Sequence, residues 1–274
     1  MRLLPASILL LLASPVLADL CEHRAERNLD IDVAGLRGLV IELGADDLAL
    51  RGVAGLKRIE VRGIACASDP ERLARLQLAE RRDGDRVVVR AERESTSSWS
   101  LFGSTYGSLD LEVRIPAELA LEIDAGSGDS VISDVAALNY KAGSGDLELR
   151  NVAGDVRAHV GSGDIEAFDV GAFTLVSTGS GDIGVDGVRS DVIAESAGSG
   201  DMKYSRVGGT VRIGDVGSGD VTVTGIGGDV IVASIGSGDV SVDEVRGNLS
   251  VRAQGSGYTT QRNVRGKVDV PDKG

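Results

Sequence analysis

The tetrapeptide Gly-Ser-Gly-Asp begins at Gly126, Gly143, Gly161, Gly179, Gly198, Gly217 and Gly236, and a closing copy, Gly-Ser-Gly-Tyr, begins at Gly255. The steps are 17, 18 and 18 residues, then 19 residues four times. A motif held at nearly constant phase marks a chain built from one small unit repeated in space.

Each unit has the same internal order. After the tetrapeptide, apolar residues recur at alternate positions, the period of a strand with one buried face. The first inward column reads Ser130, Leu147, Ile165, Ile183, Met202, Val221, Val240 and Thr259. The second reads Ile132, Leu149, Ala167, Val185, Tyr204, Val223, Val242 and Gln261, and the third is Val135, Val152, Val170, Val188, Val207, Ile226, Val245 and Val264. Glu148, Glu166, Lys203, Thr222 and Ser241 fall between these columns and are expected to face water. A second turn follows, often with glycine, as at Gly154, Gly209, Gly228, Gly247 and Gly266. A second short strand then opens with Val156, Val192, Val211, Val230 or Leu249.

One repeat is therefore turn, strand, turn, strand. Two strands cannot bury an apolar face alone, but stacked copies can. The expected fold is all-β: a parallel β-solenoid (β-helix) with two short strands per rung of 17–19 residues. At about 4.8 Å per rung, eight rungs span about 38 Å. A β-sandwich also accommodates regular short strands, but does not require fixed residues at fixed phase. Aromatic residues are only 3% of the chain, so the core is expected to be aliphatic. Glycine is expected to supply positive-φ corners.

Residues 119–274 form this regular array. Residues 19–118 read as an irregular capping region continuous with it. Residues 33 to 66 resemble degenerate rungs, with Gly44-Ala45-Asp46-Asp47 as an imitation of the corner. Asp69-Pro70 starts a short helix to about Leu76. Asp83-Gly84 turns a hairpin between residues 76–81 and 86–90. A polar loop, 91–108, carries Trp99, Phe102 and Tyr106. Exposed aromatics of this kind anchor partners or sugars; folding back over the open end of the stack is the other role open to them.

Residues 1–18 read as a secretory signal, with Arg2 at the start, an apolar centre over Ile8 to Leu12 and small residues Val16 and Ala18 before the cut. The apolar run is shorter than a spanning helix needs. Leu20 before Cys21 disfavours a lipoprotein signal. The expected location is exported: periplasmic, outer-surface or secreted. Cys21 and Cys66 are the only cysteines, and an oxidising compartment favours their pairing. The formal net charge of -13 argues against nucleic acid as a partner.

The aspartates Asp129, Asp146, Asp164, Asp182, Asp201, Asp220 and Asp239 would stack one above another. Two charges about 4.8 Å apart repel by about 0.9 kcal/mol even in water. Hydrogen bonds from the amides of each carboxylate's own turn are the expected compensation, and bound Ca²⁺ is the alternative. The G-G-x-G-x-D spacing of calcium β-rolls is absent. No other cofactor is indicated. There is no P-loop, dinucleotide fingerprint or zinc spacing, and His159 falls on an outward strand position. These lean rungs lack the loops that would build a catalytic groove.

The strand Val113-Arg114-Ile115-Pro116, the run of corners and the closing Gly266-Lys267-Val268-Asp269-Val270-Pro271 resemble the bacterial candidate-adhesin family of β-strand repeats, a domain of unknown function. The resemblance runs from about Leu39 to Val270 and implies the solenoid fold, with no catalytic residues to carry over. The expected function is binding or scaffolding in the bacterial envelope, with an envelope polysaccharide or surface protein as partner and no transmembrane segment in the mature chain. The alternatives are a polysaccharide-active enzyme on the same scaffold and a weak calcium-binding protein of β-roll type.

Overall fold

The computed structural model describes residues 21–93 and 106–271. The expected signal at 1–18 and the side chains of Trp99 and Phe102 lie outside the described residues. The repeats form a parallel β-solenoid with two faces. Along the first face run β9 (Ser130–Ser133), the starts of β11 (Leu147–Val160) and β12 (Ile165–Thr178), then β13 (Ile183–Val188), β15 (Met202–Val207), β17 (Val221–Ile226), β19 (Val240–Val245) and β21 (Thr259–Val264). The second face holds β8 (Ala120–Ala125), β10 (Ala137–Ala142), the ends of β11 and β12, then β14 (Val192–Ala197), β16 (Val211–Val216), β18 (Val230–Ile235), β20 (Leu249–Gln254) and β22 (Val268–Asp269). The register pairs like with like: Met202 lies beside Val221 and Val221 beside Val240. The three inward columns are buried until the last rung, where Thr259 and Val264 are half-buried and Gln261 is exposed.

The start of the stack departs from chain order. Strands β2 (Gly38–Glu42) and β3 (Leu48–Val53) make a true rung, as the sequence suggested, but it sits between rungs that follow it in sequence. Strand β2 pairs on one side with β8 and on the other with β6 (Arg86–Arg93). Strand β3 likewise lies between β9 and β7 (Gly107–Pro116). The rest of the 33 to 66 region is no rung: β4 (Arg58–Ala67) runs antiparallel to β7, and β1 (His23–Asp32) antiparallel to β4. The hairpin of β5 (Leu76–Asp83) and β6 turns at Gly84, and the helix α1 (Pro70–Arg75) is capped by Asp69, whose carboxylate accepts the Arg72 amide at 2.8 Å. Antiparallel strands thus cover the edge that a parallel stack would leave open.

Two further sequence expectations about the core and the corners need correction. The core is not wholly aliphatic: Tyr140, Phe173 and Tyr204 are fully buried. Space for them comes from small inward residues in the same or adjacent rungs, Ala158, Ala167 and Ala194. The corner glycines, moreover, do not have positive φ. Positive φ instead marks the position before the third column: Asp134, Asn151, Asp169, Gly187, Arg206, Gly225, Glu244 and Asn263 in successive rungs. The corner glycines are required by crowding. A Cβ on Gly145, Gly181, Gly200 or Gly219 would lie 1.9 Å from the carbonyl oxygen of the equivalent glycine one rung before.

The two buried tyrosines differ in partner. Tyr140 donates its hydroxyl to Ser130 Oγ at 3.1 Å, whereas among the described residues the Tyr204 hydroxyl meets only the Met202 sulfur, at 3.4 Å. Sulfur is a weak acceptor. Tyr204→Phe is therefore expected to leave stability within about 0.5 kcal/mol, and Tyr140→Phe to cost about 1 kcal/mol, because Ser130 Oγ loses its partner. Urea unfolding of the two variants checks the difference; equal costs would contradict it.

Candidate functional site

The corners form a continuous hydrogen-bonded edge. Each aspartate Oδ1 accepts the backbone amide of its counterpart in the next rung, rather than amides of its own turn as the sequence led one to expect. The Asp146 amide donates to Asp129 at 3.0 Å, Asp164 to Asp146 at 2.8 Å and Asp182 to Asp164 at 2.7 Å. Asp201, Asp220 and Asp239 continue the series at 2.8, 2.8 and 2.7 Å. Asp47, in the degenerate corner, accepts the Asp129 amide at 2.9 Å. The series begins one rung earlier still, at Asp110, which accepts the Asp47 amide; burial pushes its carboxyl above the usual range. It ends at Tyr258, whose amide donates to Asp239 at 2.7 Å. The eighth corner needs no carboxylate, because among the described residues no further corner lies beyond it.

Magnitudes explain why the ladder persists. A hydrogen bond to a charged acceptor contributes about 1.5–3 kcal/mol, against about 0.9 kcal/mol of repulsion between neighbouring carboxylates in water. Removing the charge but keeping the acceptor should then be nearly neutral. Asp182→Asn is expected within about 0.5 kcal/mol of the parent, because one weaker bond is offset by lost repulsion. Asp182→Ala should cost about 1 kcal/mol, since the Asp201 amide must turn to water. Thermal unfolding of the pair decides; a costly asparagine would assign the column to its charge.

A second ladder, missed from the sequence, runs along the opposite corner. Asp191 Oδ1 accepts the Thr210 amide at 2.8 Å, Thr210 Oγ1 the Asp229 amide at 3.3 Å, Asp229 Oδ1 the Asn248 amide at 2.7 Å and Asn248 Oδ1 the Lys267 amide at 2.9 Å. The Thr210 amide is the main cause that holds the Asp191 carboxyl below its ordinary range. The mixture of Asp, Thr and Asn hid this series; their shared ability to accept an amide was the signal. Also missed was Asp46, fully buried where a regular corner has glycine. Its Oδ1 accepts from the Leu109 amide at 2.6 Å and pairs with Arg93, which also donates to the Gly107 carbonyl at 2.8 Å.

Among the described residues, no group of three or more His, Cys, Asp or Glu side chains is arranged to hold a metal. Cys21 and Cys66 are joined, with Cα atoms 5.5 Å apart, tying the chain before β1 to β4. Of the aromatic loop, only Tyr106 is described: its hydroxyl accepts the Glu22 amide at 3.1 Å and its carbonyl the Ser68 amide at 3.2 Å. His159 is exposed on the second face, with Nδ1 2.7 Å from Ser177 Oγ. On the first face the outward rows run in register through Glu148, Glu166, Gly184, Lys203, Thr222 and Ser241. Beside them, the Arg150 guanidinium lies 4.7 Å from the centre of the Phe168 ring.

A family model described as Toastrack DUF4097 matches residues 67–272, more than half of the chain. That span starts at the end of β4, so it leaves out the early rung of β2 and β3. A search of curated proteins finds no match. Among solved structures, a candidate cell adhesion protein of Clostridium sporogenes ATCC 15579 is similar at 14% identity, covering 67% of this chain and 99% of that one, with a TM-score of 0.43. A candidate adhesin of Bacteroides fragilis NCTC 9343 is similar at 11% identity, covering 90% and 97%, with a TM-score of 0.42. Another, from Parabacteroides merdae ATCC 43184, is 13% identical, covering 91% and 97%, with a TM-score of 0.35.

Proposed function

The chain belongs to the Toastrack DUF4097 family, and from that premise we propose that it is an exported, non-catalytic β-solenoid that binds or scaffolds extended polymers at the bacterial envelope. The observation that carries this reading is the flat first face. Its outward residues repeat once per rung, at about 4.8 Å, which suits a linear glycan. Export is supported by the sequence of residues 1–18 and by the bond between Cys21 and Cys66, which persists in oxidising compartments. The Trp99, Phe102 and Tyr106 segment would supply a second contact. The corner aspartates act as hydrogen-bond acceptors rather than as calcium ligands.

A glycan array read beside a hydrolysis assay on the same polymers tests the proposal. Binding without product is expected; release of shortened polymer would replace it with an enzyme. Cell fractionation should place the protein outside the cytoplasm. The melting temperature is expected to be equal in EDTA and in millimolar Ca²⁺, and a clear rise with Ca²⁺ would assign the aspartate column to the cation.

A further inference from the structure

The positive-φ corner of the stack is indented at two places, and the two differ in charge. Towards the start, an open cleft of about 870 Å³ is lined by Arg51, Arg114, Glu118, Asp134 and Asn151, among others. Its cations are already occupied: Arg51 pairs with Asp134 at 3.0 Å, and Arg114 with Glu60 at 2.9 Å. Towards the end, a second cleft of about 830 Å³ lies over Gly208 and Gly227, whose missing side chains leave the hollow. A Cβ on Gly227 would lie 2.2 Å from the Gly208 carbonyl oxygen, so the backbones must approach closely here and the floor stays bare.

The walls of this second cleft carry Arg206, Glu244, Arg246 and Arg265. Arg206 is held by Asp186 through two bonds of 2.6 and 2.8 Å. Arg246 and Arg265 occupy the same position in successive rungs, as their amides show by donating to Ile226 and Val245. Both are exposed, and neither side chain has a hydrogen bond or ion pair among the described residues. Arg51, Arg114, Arg150, Arg206, Arg212 and Arg262 by contrast all reach a carboxylate within 4 Å, in a chain whose net charge is -13. Arg252 is likewise exposed and unpaired among the described residues, but it does not line this cleft. Two unpaired guanidinium groups one rung apart repel each other. Anionic groups placed beside each of them offset that repulsion, and guanidinium geometry suits bidentate recognition of a carboxylate.

We propose that the cleft over Gly208 and Gly227 binds the carboxylate groups of an acidic linear polysaccharide through Arg246 and Arg265. The proposal rests on the polymer-binding reading above and gives that polymer its charge. A chain laid along the stack meets Arg246 and then Arg265 in two successive rungs, so a polymer gains both contacts where a free anion gains one.

The test uses the full chain in affinity electrophoresis through polygalacturonate and through the same polymer fully methyl-esterified. Retardation by the acid form alone is expected, weakening as salt rises. The double variant Arg246→Ala/Arg265→Ala should bind at least about tenfold more weakly, with its melting temperature unchanged. Arg51→Ala/Arg114→Ala, in the cleft whose arginines are already paired, should bind within about twofold of the parent. Equal retardation by the esterified polymer, or full binding by the Arg246→Ala/Arg265→Ala protein, would overturn the proposal. So would inorganic phosphate that competes as well as the polymer per unit charge, because that outcome assigns a single-ion site. Binding of neutral glycans on the array without any response to polygalacturonate would leave the flat-face reading standing and remove only the cleft.

Discussion

Gly181→Ala is expected to break the solenoid at its middle. The new methyl carbon would lie 1.9 Å from the Gly163 carbonyl oxygen and 2.6 Å from its carbonyl carbon. Both obstacles are backbone, so no side-chain rotation relieves the clash. Separating the two corners would stretch the Asp182 amide bond to Asp164, 2.7 Å, and the Ile165 amide bond to the Asp182 carbonyl, 2.9 Å. Ordinary overpacking costs about 1–3 kcal/mol where side chains can shift. Here the cost should exceed about 4 kcal/mol, the range reserved for a named structural fault. Because each rung touches only its neighbours, the damage should divide the stack and favour loss of the rungs after residue 181. Ser180→Ala, an exposed change in the same corner, should lie within about 0.5 kcal/mol of the parent. Circular dichroism melting with limited proteolysis reads both. A Gly181→Ala protein that melts with the parent would mean the corners do not approach as described.

Loss of the Cys21–Cys66 bond is expected to have the next largest effect. The bond closes a loop with a sequence separation of 45. The chain-entropy model gives about 4 kcal/mol for a loop of this length. The stabilisation acts on β1, which among the described residues pairs in the ladder with β4 alone. Reduction, or Cys21→Ala/Cys66→Ala, should therefore lower the melting temperature and expose residues 23–32 to hydrogen exchange first, with the later rungs still protected. The paired substitution avoids a stray thiol. An unchanged melting curve under reductant, with β1 as protected as β4, would contradict this.

The repeated part of the fold was legible because its interactions are between identical positions. A residue that packs on its own copy one rung away must be compatible with itself, so Val135 through Val264 reads as a column in the sequence. Local signals were equally readable where one residue type has one use: Asp69 before Pro70 caps α1, and Asp83-Gly84 turns the β5–β6 hairpin. The insertion of the β2–β3 rung between β6–β7 and β8–β9 was not legible. Strand order depends on long-range pairing, and Leu39 or Leu50 would present the same pattern at any level of the stack. The role of the corner glycines was misread for a related reason. Glycine serves both positive φ and close approach, and only the carbonyl of the preceding rung distinguishes them. The positive-φ row escaped notice because Arg206 and Glu244 occupy it beside the more permissive Asp, Asn and Gly. The destination of the aspartate bonds was hidden too, since an acceptor serves its own turn or the next with the same residue. What sets Arg246 and Arg265 apart is visible only in the structure: neither has a carboxylate partner among the described residues, and both line one cleft.

Distances between spin labels on the exposed serines of the corners test most directly whether those corners stack. Pairs of cysteines in place of Ser144 and Ser180, Ser144 and Ser199, Ser144 and Ser218, and Ser144 and Ser237 place labels two, three, four and five rungs apart. Pulsed electron resonance should show the separation rising linearly by about 4.8 Å per rung, to about 24 Å for the last pair. A separation that alternates or does not grow with rung number would show that the corners are not stacked, and the solenoid with its ladders would fall with that result.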